Sequence, residues 1–407
     1  MSGALEHLRV LDLTRVLAGP WATQLFADLG AEVIKVERPQ GGDDTRGWGP
    51  PYPKNADGRE IEDAAYFFAA NRGKKSVTID IAAPRGAALV RELAARSDVV
   101  IENYKVGDMR RYGLDYASLG GVNPRLVYCS ITGFGQTGPY KDRAGYDFII
   151  QGMGGLMSIT GEADEVAGGG PMKVGVAIDD LMTGMYATTA ILAALAHRDR
   201  TGEGQYIDLA LLDVQVAALA NQNMNYLTTG RSPRRMGNAH PNIVPYQMFA
   251  TADGAINLGV GNDKQFQKFC LVADLECLAA DSRFATKSAR VANRQLLIPR
   301  IAQRIACQPT AHWVGELGKV GIPCGPVNDL QAVFEDPQIR SRHMKITLAH
   351  PAADSVDLVA NPIKFSKTPV RYTLPPPRLG EHTGEVLRDV LGLSEAEIEK
   401  LKAGSIV

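Results

Sequence analysis

A chain of 407 residues exceeds what one hydrophobic core usually serves, so two domains are expected, and an apolar content of 45% can fill both. Forty-four Lys and Arg against forty-five Asp and Glu leave no overall field for nucleic acid or an anionic membrane surface, which argues against a polyanionic partner. The N-terminal stretch lacks the basic start and apolar centre of a signal peptide, and no apolar run reaches the roughly 20 residues of a membrane span, so a cytoplasmic protein is expected.

Leu8–Leu13 reads as a buried strand, followed by a break at Gly19-Pro20, a helix from Ala22 to Leu29 and a second strand, Glu32–Val36. Ser76–Asp80 is strand-like, Pro84–Arg96 is a helix with Pro near its start, and Asp98–Asn103 and Pro124–Ile131 are further strands. Strands alternating with helices predict a Rossmann-like α/β domain whose parallel sheet is covered on both faces. Ligands of such sheets bind beyond the carboxyl ends of the strands, so Thr14–Pro20, Glu37–Arg38, Asn103–Tyr104 and Thr132–Gly138 are expected to meet at one crevice.

The crevice should be cationic. Arg38 follows the second strand, Arg72, Lys74 and Lys75 precede the third, and Lys105 follows the fourth. Arginine forks and lysine point charges suit a phosphorylated ligand. The first turn, Asp12-Leu-Thr-Arg-Val-Leu-Ala-Gly-Pro20, has no GxGxxG, so the close-approach glycines of a dinucleotide cradle are missing. Walker A, HExxH and GxSxG are also absent, and Cys129, Cys270, Cys277, Cys307 and Cys324 lack CxxC spacing. The cysteines read as reduced packing residues, and no metal is expected.

Further on, Val174–Ile178 is an apolar, strand-like run, Met185 opens a small-residue helix, and Asp179 and Asp180 stand between them. A carboxylate there can cap a helix or face a ligand. Glycine runs at Gly133–Gly138, Gly152–Gly155, Gly168–Gly170 and Gly259–Asn262 suit turns, or a lid or oxyanion-binding loop. His240, before Pro241, is a weaker candidate base. After the helix-rich run from Met185 to Thr228 the texture becomes polar and breaker-rich, and a smaller unit ends near Val327. Pro375–Pro377 is extended or looped, and Glu395–Lys402 forms an amphipathic helix. The resulting division is 1–205 for the N-terminal part of a large α/β domain, 206–230 for a helical linker, 231–327 for a small domain, and 328–407 for the return.

The motifs Asp12–Pro20, Gly30–Pro39, Asn71–Ser76, Glu102–Tyr104, Gly133–Pro139, Gly145–Asp147, Asp180–Gly184, Arg200–Gln205 and Leu379–Thr383, in this order, resemble the class III coenzyme A transferases over nearly the whole length. The resemblance implies that Asp180, four residues before Gly184, is the nucleophile, that Asp147 assists near the thioester, and that Gly259 and Gly261 cover the intermediate. It implies coenzyme contacts from Arg38, Lys74, Lys75 and Asn103; Val16, Arg72, Tyr104, Lys105, Arg143 and Tyr146 complete the expected binding set. Coenzyme A or its thioester is then substrate rather than a permanent cofactor. The partners are acyl-CoA, a small carboxylic acid and a second copy of the chain, in an interlaced homodimer whose large domain is discontinuous in sequence and carries a smaller α+β domain.

Leu17 stands where formyl-CoA transferases carry a glutamine, which argues against formyl and oxalyl chemistry. Tyr146 stands where related 2-methylacyl-CoA racemases carry a histidine, and a phenol is poorly suited to removing an α-proton. The segments Gly237–Gln247, Gly261–Phe266 and Gly321–Asn328 resemble the branch acting on succinyl-CoA and glutarate, which points to dicarboxylic donors and acceptors. A distal carboxylate would need a cation, for which Arg15, Arg143 and the Arg231–Arg235 cluster are candidates. The contrasting expectation is a CoA-binding protein without covalent chemistry.

Overall fold

The computed structural model describes residues 3–407. Six strands, β1 (Arg9–Asp12), β2 (Glu32–Glu37), β3 (Lys74–Thr78), β4 (Val99–Glu102), β5 (Val127–Thr132) and β6 (Tyr206–Ala210), form one sheet in the order β3-β2-β1-β4-β5-β6. Every pairing is parallel. The middle strands β1, β4 and β5 are largely apolar because both faces are covered. Val10, Val33, Val99 and Val127 point into a core shared with Phe26, Ala187 and Ile191. Their neighbours Leu11, Ile34, Val100 and Tyr128 point the other way, onto Leu89, Leu93, Val386, Leu387, Ile398 and Leu401. The strand order reverses between β1 and β4, and beyond their carboxyl ends such a sheet opens a crevice.

The chain separates into two compact units. One holds the sequence up to Leu156, Val174–Asn223 and Gln338–Val407; the other holds Met157–Lys173 and Met224–Pro337. The second unit has an antiparallel sheet of β7 (Tyr246–Ala250), β8 (Ala255–Gly259) and β9 (Cys324–Pro326) around Phe249, Ile256, Phe266, Phe269, Leu297, Ile301 and Trp313. In the first unit, β10 (Lys345–His350) and β11 (Asp354–Val359) make an antiparallel hairpin. Among the described residues no helix is long and apolar enough to cross a membrane.

Several local expectations change, among them the helical linker expected at 206–230, whose first residues, Tyr206–Ala210, are strand β6 of the main sheet. Gly19-Pro20 is not a break: both lie in the first turn of the Ala18–Asp28 helix, where a proline costs no hydrogen bond. The third strand begins at Lys74, two residues early, because Lys74 and Lys75 pair with Val33 and Ile34. Val174–Ala177 is irregular rather than a strand, and the long helix runs Ile178–Thr201, so Asp179 and Asp180 sit inside its first turn instead of before it. Cys129 and Cys270 are packing residues, whereas Cys277 and Cys307 are exposed.

Candidate active site

The turn between β1 and the Ala18–Asp28 helix is built on buried charge. Asp12 accepts from the Thr14 N–H at 2.9 Å, from the Thr23 hydroxyl at 2.6 Å and from Lys74 Nζ at 3.1 Å. Burial works against its ionisation, but Lys74, Lys35 and the two threonines hold its carboxyl below the usual range. Lys35, fully buried, donates to the Thr14 carbonyl at 2.8 Å and to Asp43 at 2.9 Å. Asp43 accepts in turn from the Val16 N–H at 3.2 Å. Against the effect of burial, Lys35 and Thr45 hold Asp43 at about 2.

These ties fix an unusual backbone: Val16, β-branched, has φ +69°. Such a residue persists in the left-handed region only where its surroundings enforce it, and strain of this kind clusters at ligand sites. Asn103 completes the hold, accepting from the Arg15 N–H at 2.9 Å and donating to the Arg15 carbonyl at 2.7 Å.

Above this turn a cleft of about 310 Å³ opens at the switch point. Its walls include Arg15–Ala18 from the first turn, Asn103–Val106 after β4, Ile131–Gly133 at the end of β5, the Lys141–Tyr146 loop, and Asp180. Val16, Asn103, Tyr104, Thr132 and Gly133 are therefore brought together, as expected of the strand ends, and Lys105, Arg143, Tyr146 and Asp180 join them. Arg38 does not line the cleft but pairs at 2.7 Å with Asp44, which does.

Asp180 belongs to a cluster of three carboxylates. Asp147 Oδ1 accepts from the Asp179 N–H at 2.9 Å, and its Oδ2 accepts from Gln151 Nε2 at 2.7 Å, so this buried carboxylate ties the Asp147–Met153 helix to the start of the Ile178–Thr201 helix. Asp179 is fully buried and receives the Gln215 amide. Asp180 is the member that faces the cleft. Burial and the charge of Asp147 push its carboxyl up to about 7, and burial with both neighbours does the same to Asp179. Neither caps the helix: the N-cap is Ala177, without a side-chain bond. The helix can approach closely because Gly184 faces the Ala18 carbonyl, where a Cβ would lie only 2.7 Å away.

Several expected binding residues are placed elsewhere. Arg72 is buried and makes two bonds to Asp28, at 2.8 and 2.6 Å, with a third to the Val359 carbonyl. Lys74 is fully buried on Asp12, Asn71 and the Pro20 carbonyl, and burial lowers its ammonium to about 8. Lys75 is spent on Glu32 and Glu385. All three precede or open β3, so they start from the amino end of the sheet. Asn103 lines the cleft, and both ends of its amide are engaged with Arg15, so it shapes the turn.

Gly259 and Gly261 lie in the second unit. The Gly259 N–H donates to the Pro323 carbonyl, the Val260 N–H to the Pro245 carbonyl and the Gly261 N–H to Gln265 Oε1, while Asn262 caps the following helix. The amides expected to serve as free oxyanion donors are thus already committed. His240 accepts from the Asn242 N–H, and Arg235 is held by Asp164 and the Glu162 carbonyl.

Residues missed in the sequence also gather here. Tyr66 is close enough to Asp180 and Asp147 that, after burial, their charges raise its phenol above the usual value, and its ring meets Trp48 edge-on at 5.2 Å. Asp44, Lys141 and Leu211 line the cleft as well. A lone tyrosine in the four-residue Ala65–Phe68 helix offers no sequence signal, whereas Asp44 could have been suspected from the acidic pair directly after Gly41-Gly42.

Residues 5–383 match the family described as CoA-transferase family III. Succinate–glutarate CoA-transferase from Agrobacterium fabrum is 52% identical over 391 residues, covering 95% of each chain. Succinyl-CoA:mesaconate CoA-transferase from Haloarcula hispanica is 40% identical over 390 residues, covering 95% of this chain and 96% of the relative. The crystal structure of a CAIB/BAIF family protein from Brucella suis superposes with a TM-score of 0.83 at 49% identity, over 96% of this chain and all of that one. With a parallel α/β sheet, a carboxylate-bearing cleft at its switch point and these matches, the chain belongs to CoA-transferase family III and is an enzyme of that class.

Proposed function

We propose that this enzyme moves coenzyme A from succinyl-CoA, or another dicarboxyl-CoA, to a free dicarboxylate such as glutarate, with Asp180 as nucleophile. The observation that carries the reading is Asp180 itself, the one carboxylate of the Asp147–Asp179–Asp180 cluster that lines the cleft. The names of the relatives support the substrate class. Activation must survive the transfer, and a carboxylate achieves this by making an anhydride. Asp180 attacks the thioester carbonyl and expels the coenzyme thiolate, leaving a mixed anhydride. The thiolate then attacks the aspartyl carbonyl, releasing the donor acid and leaving an aspartyl thioester. The acceptor carboxylate runs the same steps backwards, so atoms balance without an oxidant or a resident cofactor. A carboxyl near 7 is partly ionised at neutral pH and a better nucleophile than an ordinary aspartate.

Asp147 is assigned the role of holding the first turn of the Asp180 helix and tuning its charge. Val16, Tyr104, Lys105, Arg143 and Tyr146 are assigned to the coenzyme side of the cleft, with Arg38 at its rim. The Gly259–Asn262 segment is assigned to covering the intermediate, which requires it to release its internal bonds. A racemase is disfavoured because no histidine lines the cleft among the described residues.

We place the enzyme in the cytoplasm, in keeping with its unpaired cysteines, and assign it a homodimeric state with a discontinuous large domain. Phe148, Ile149, Met153, Met185 and Tyr186 are exposed on two helices of the first unit, an apolar surface suited to a partner copy. Light scattering at micromolar concentration is expected to give a dimer.

The central test is a mass measurement after incubation with succinyl-CoA: a coenzyme adduct maps to Asp180 and is absent from Asp180→Ala, which loses exchange while still binding coenzyme A. An adduct on another side chain, or near-normal exchange in Asp180→Ala, removes the assignment. A CoA-binding protein without covalent chemistry gives no adduct at all.

A further inference from the structure

Of the cations lining the cleft, Lys105, Lys141 and Arg143 are exposed, and Arg15 alone is half-buried. Its position is fixed by parts that do not saturate its charge. Asn103 grips the N–H and carbonyl of Arg15 from both sides, the next residue is the strained Val16, and the guanidinium lies over the Tyr104 ring at 5.0 Å. Its nearest anion, Asp44, is 3.5 Å away and is engaged more closely by Arg38 at 2.7 Å. One carboxylate is therefore shared by two arginines. Arg15 Nε is buried without a hydrogen-bond partner. A planar fork preset in this way, with a counter-ion it shares with Arg38, matches a ligand carboxylate.

The same cleft supplies an apolar surface beside the fork. Leu17 and Leu211 line it, and Leu17 is buried. A diacid presents one carboxylate to be acylated, a methylene spacer and a second carboxylate. We infer that Arg15 is the specificity-determining residue for the distal carboxylate of the acyl group, with Leu17 and Leu211 flanking the spacer. This deepens the functional reading above and rests on it. Preference then comes from the charge at the far end of the substrate. An acid of the same shape but neutral there would leave the half-buried guanidinium without its partner, a loss of about 10- to 100-fold for a charge-assisted hydrogen bond.

The experiment compares kcat/KM for glutarate with that for its monoamide, both with the same thioester donor, in the wild-type enzyme, Arg15→Met and Arg15→Lys. The ratio cancels effects on the donor and on coenzyme binding. Wild type is expected to favour glutarate by at least about tenfold, Arg15→Met to lose that preference, and Arg15→Lys to keep part of it. Equal use of both acids by wild type overturns the inference. So does an unchanged ratio in Arg15→Met, whether the rates are untouched or both acceptors weaken together with a raised KM for the thioester, which would assign Arg15 to coenzyme phosphates. Failure of the underlying reading looks different: wild type would then exchange neither acid and would show no adduct on Asp180.

Discussion

The Asp179 N–H donates to Asp147 Oδ1 at 2.9 Å, so the carboxylate that anchors the helix start is also the one whose charge bears on Asp180. With Asp180 as the proposed nucleophile, attack needs it ionised, and burial with the charge of Asp147 raises its carboxyl to about 7. kcat/KM for the acyl-CoA is therefore expected to rise with pH through about 7 and then level. Asp147→Asn keeps an acceptor for the Asp179 N–H but removes the like charge, so the acid limb should move to lower pH. A pH–rate profile in which the limb stays put would show that Asp147 is not its source.

The same carboxyl costs stability. Its folded pKa of about 7 lies above the ordinary 3.8, so the folded state holds a proton that the unfolded chain releases across that window. The contribution is most favourable below about 3.8 and is lost as pH rises through about 7. Asp180→Asn should therefore be inactive yet more stable by about 1–3 kcal/mol at pH 8. Near pH 4 the difference should vanish. Urea denaturation at the two pH values measures both.

Arg72 separates a structural cation from a binding one. Arg72→Ala leaves Asp28 buried without its guanidinium, and breaking such a pair typically costs about 3–5 kcal/mol. The fraction that folds should keep the wild-type KM for the thioester within about twofold, since Arg72 lies off the cleft. A raised KM at unchanged stability would instead return Arg72 to the coenzyme site.

At Gly184 a methyl group meets backbone, which cannot move aside like a flexible side chain. Its Cβ would lie 2.7 Å from the Ala18 carbonyl oxygen and 3.0 Å from Trp21 Cδ1. Gly184→Ala should cost about 1–3 kcal/mol by overpacking, despite the better helix propensity of alanine. A thermal melt equal to or above wild type would show that the two helices separate without penalty.

The first five strands of the sheet were legible from apolar residues with period-two neighbours, as Val10 and Leu11 or Val99 and Val100 show, whereas β6, Tyr206–Ala210, fell in the stretch read as a helical linker. The first turn and Asn103-Tyr104 followed from the rule about strand ends. The burial of Lys74 was not legible because its partner, Asp12, lies two strands away across the sheet, and a sequence shows a cation without showing who neutralises it. The pairing of Arg72 was hidden for the same reason, its Asp28 being 44 residues distant. The helix start at Ile178 was hidden by the apolar run before it, and the commitments of the Gly259 and Gly261 amides depend on Pro323 and Gln265, which glycine content does not reveal.

Val386, Leu387, Ile398 and Leu401 complete the core under β1, β2 and β4, against Leu89 and Leu93, which are encoded roughly 300 residues earlier. At 5–20 residues per second the ribosome needs about 15–60 s to deliver that covering layer. Throughout that interval this side of the newborn sheet is covered by Leu89 and Leu93 but lacks its C-terminal layer. A premature stop anywhere before residue 383 is therefore expected to yield inclusion bodies in place of a shortened catalyst.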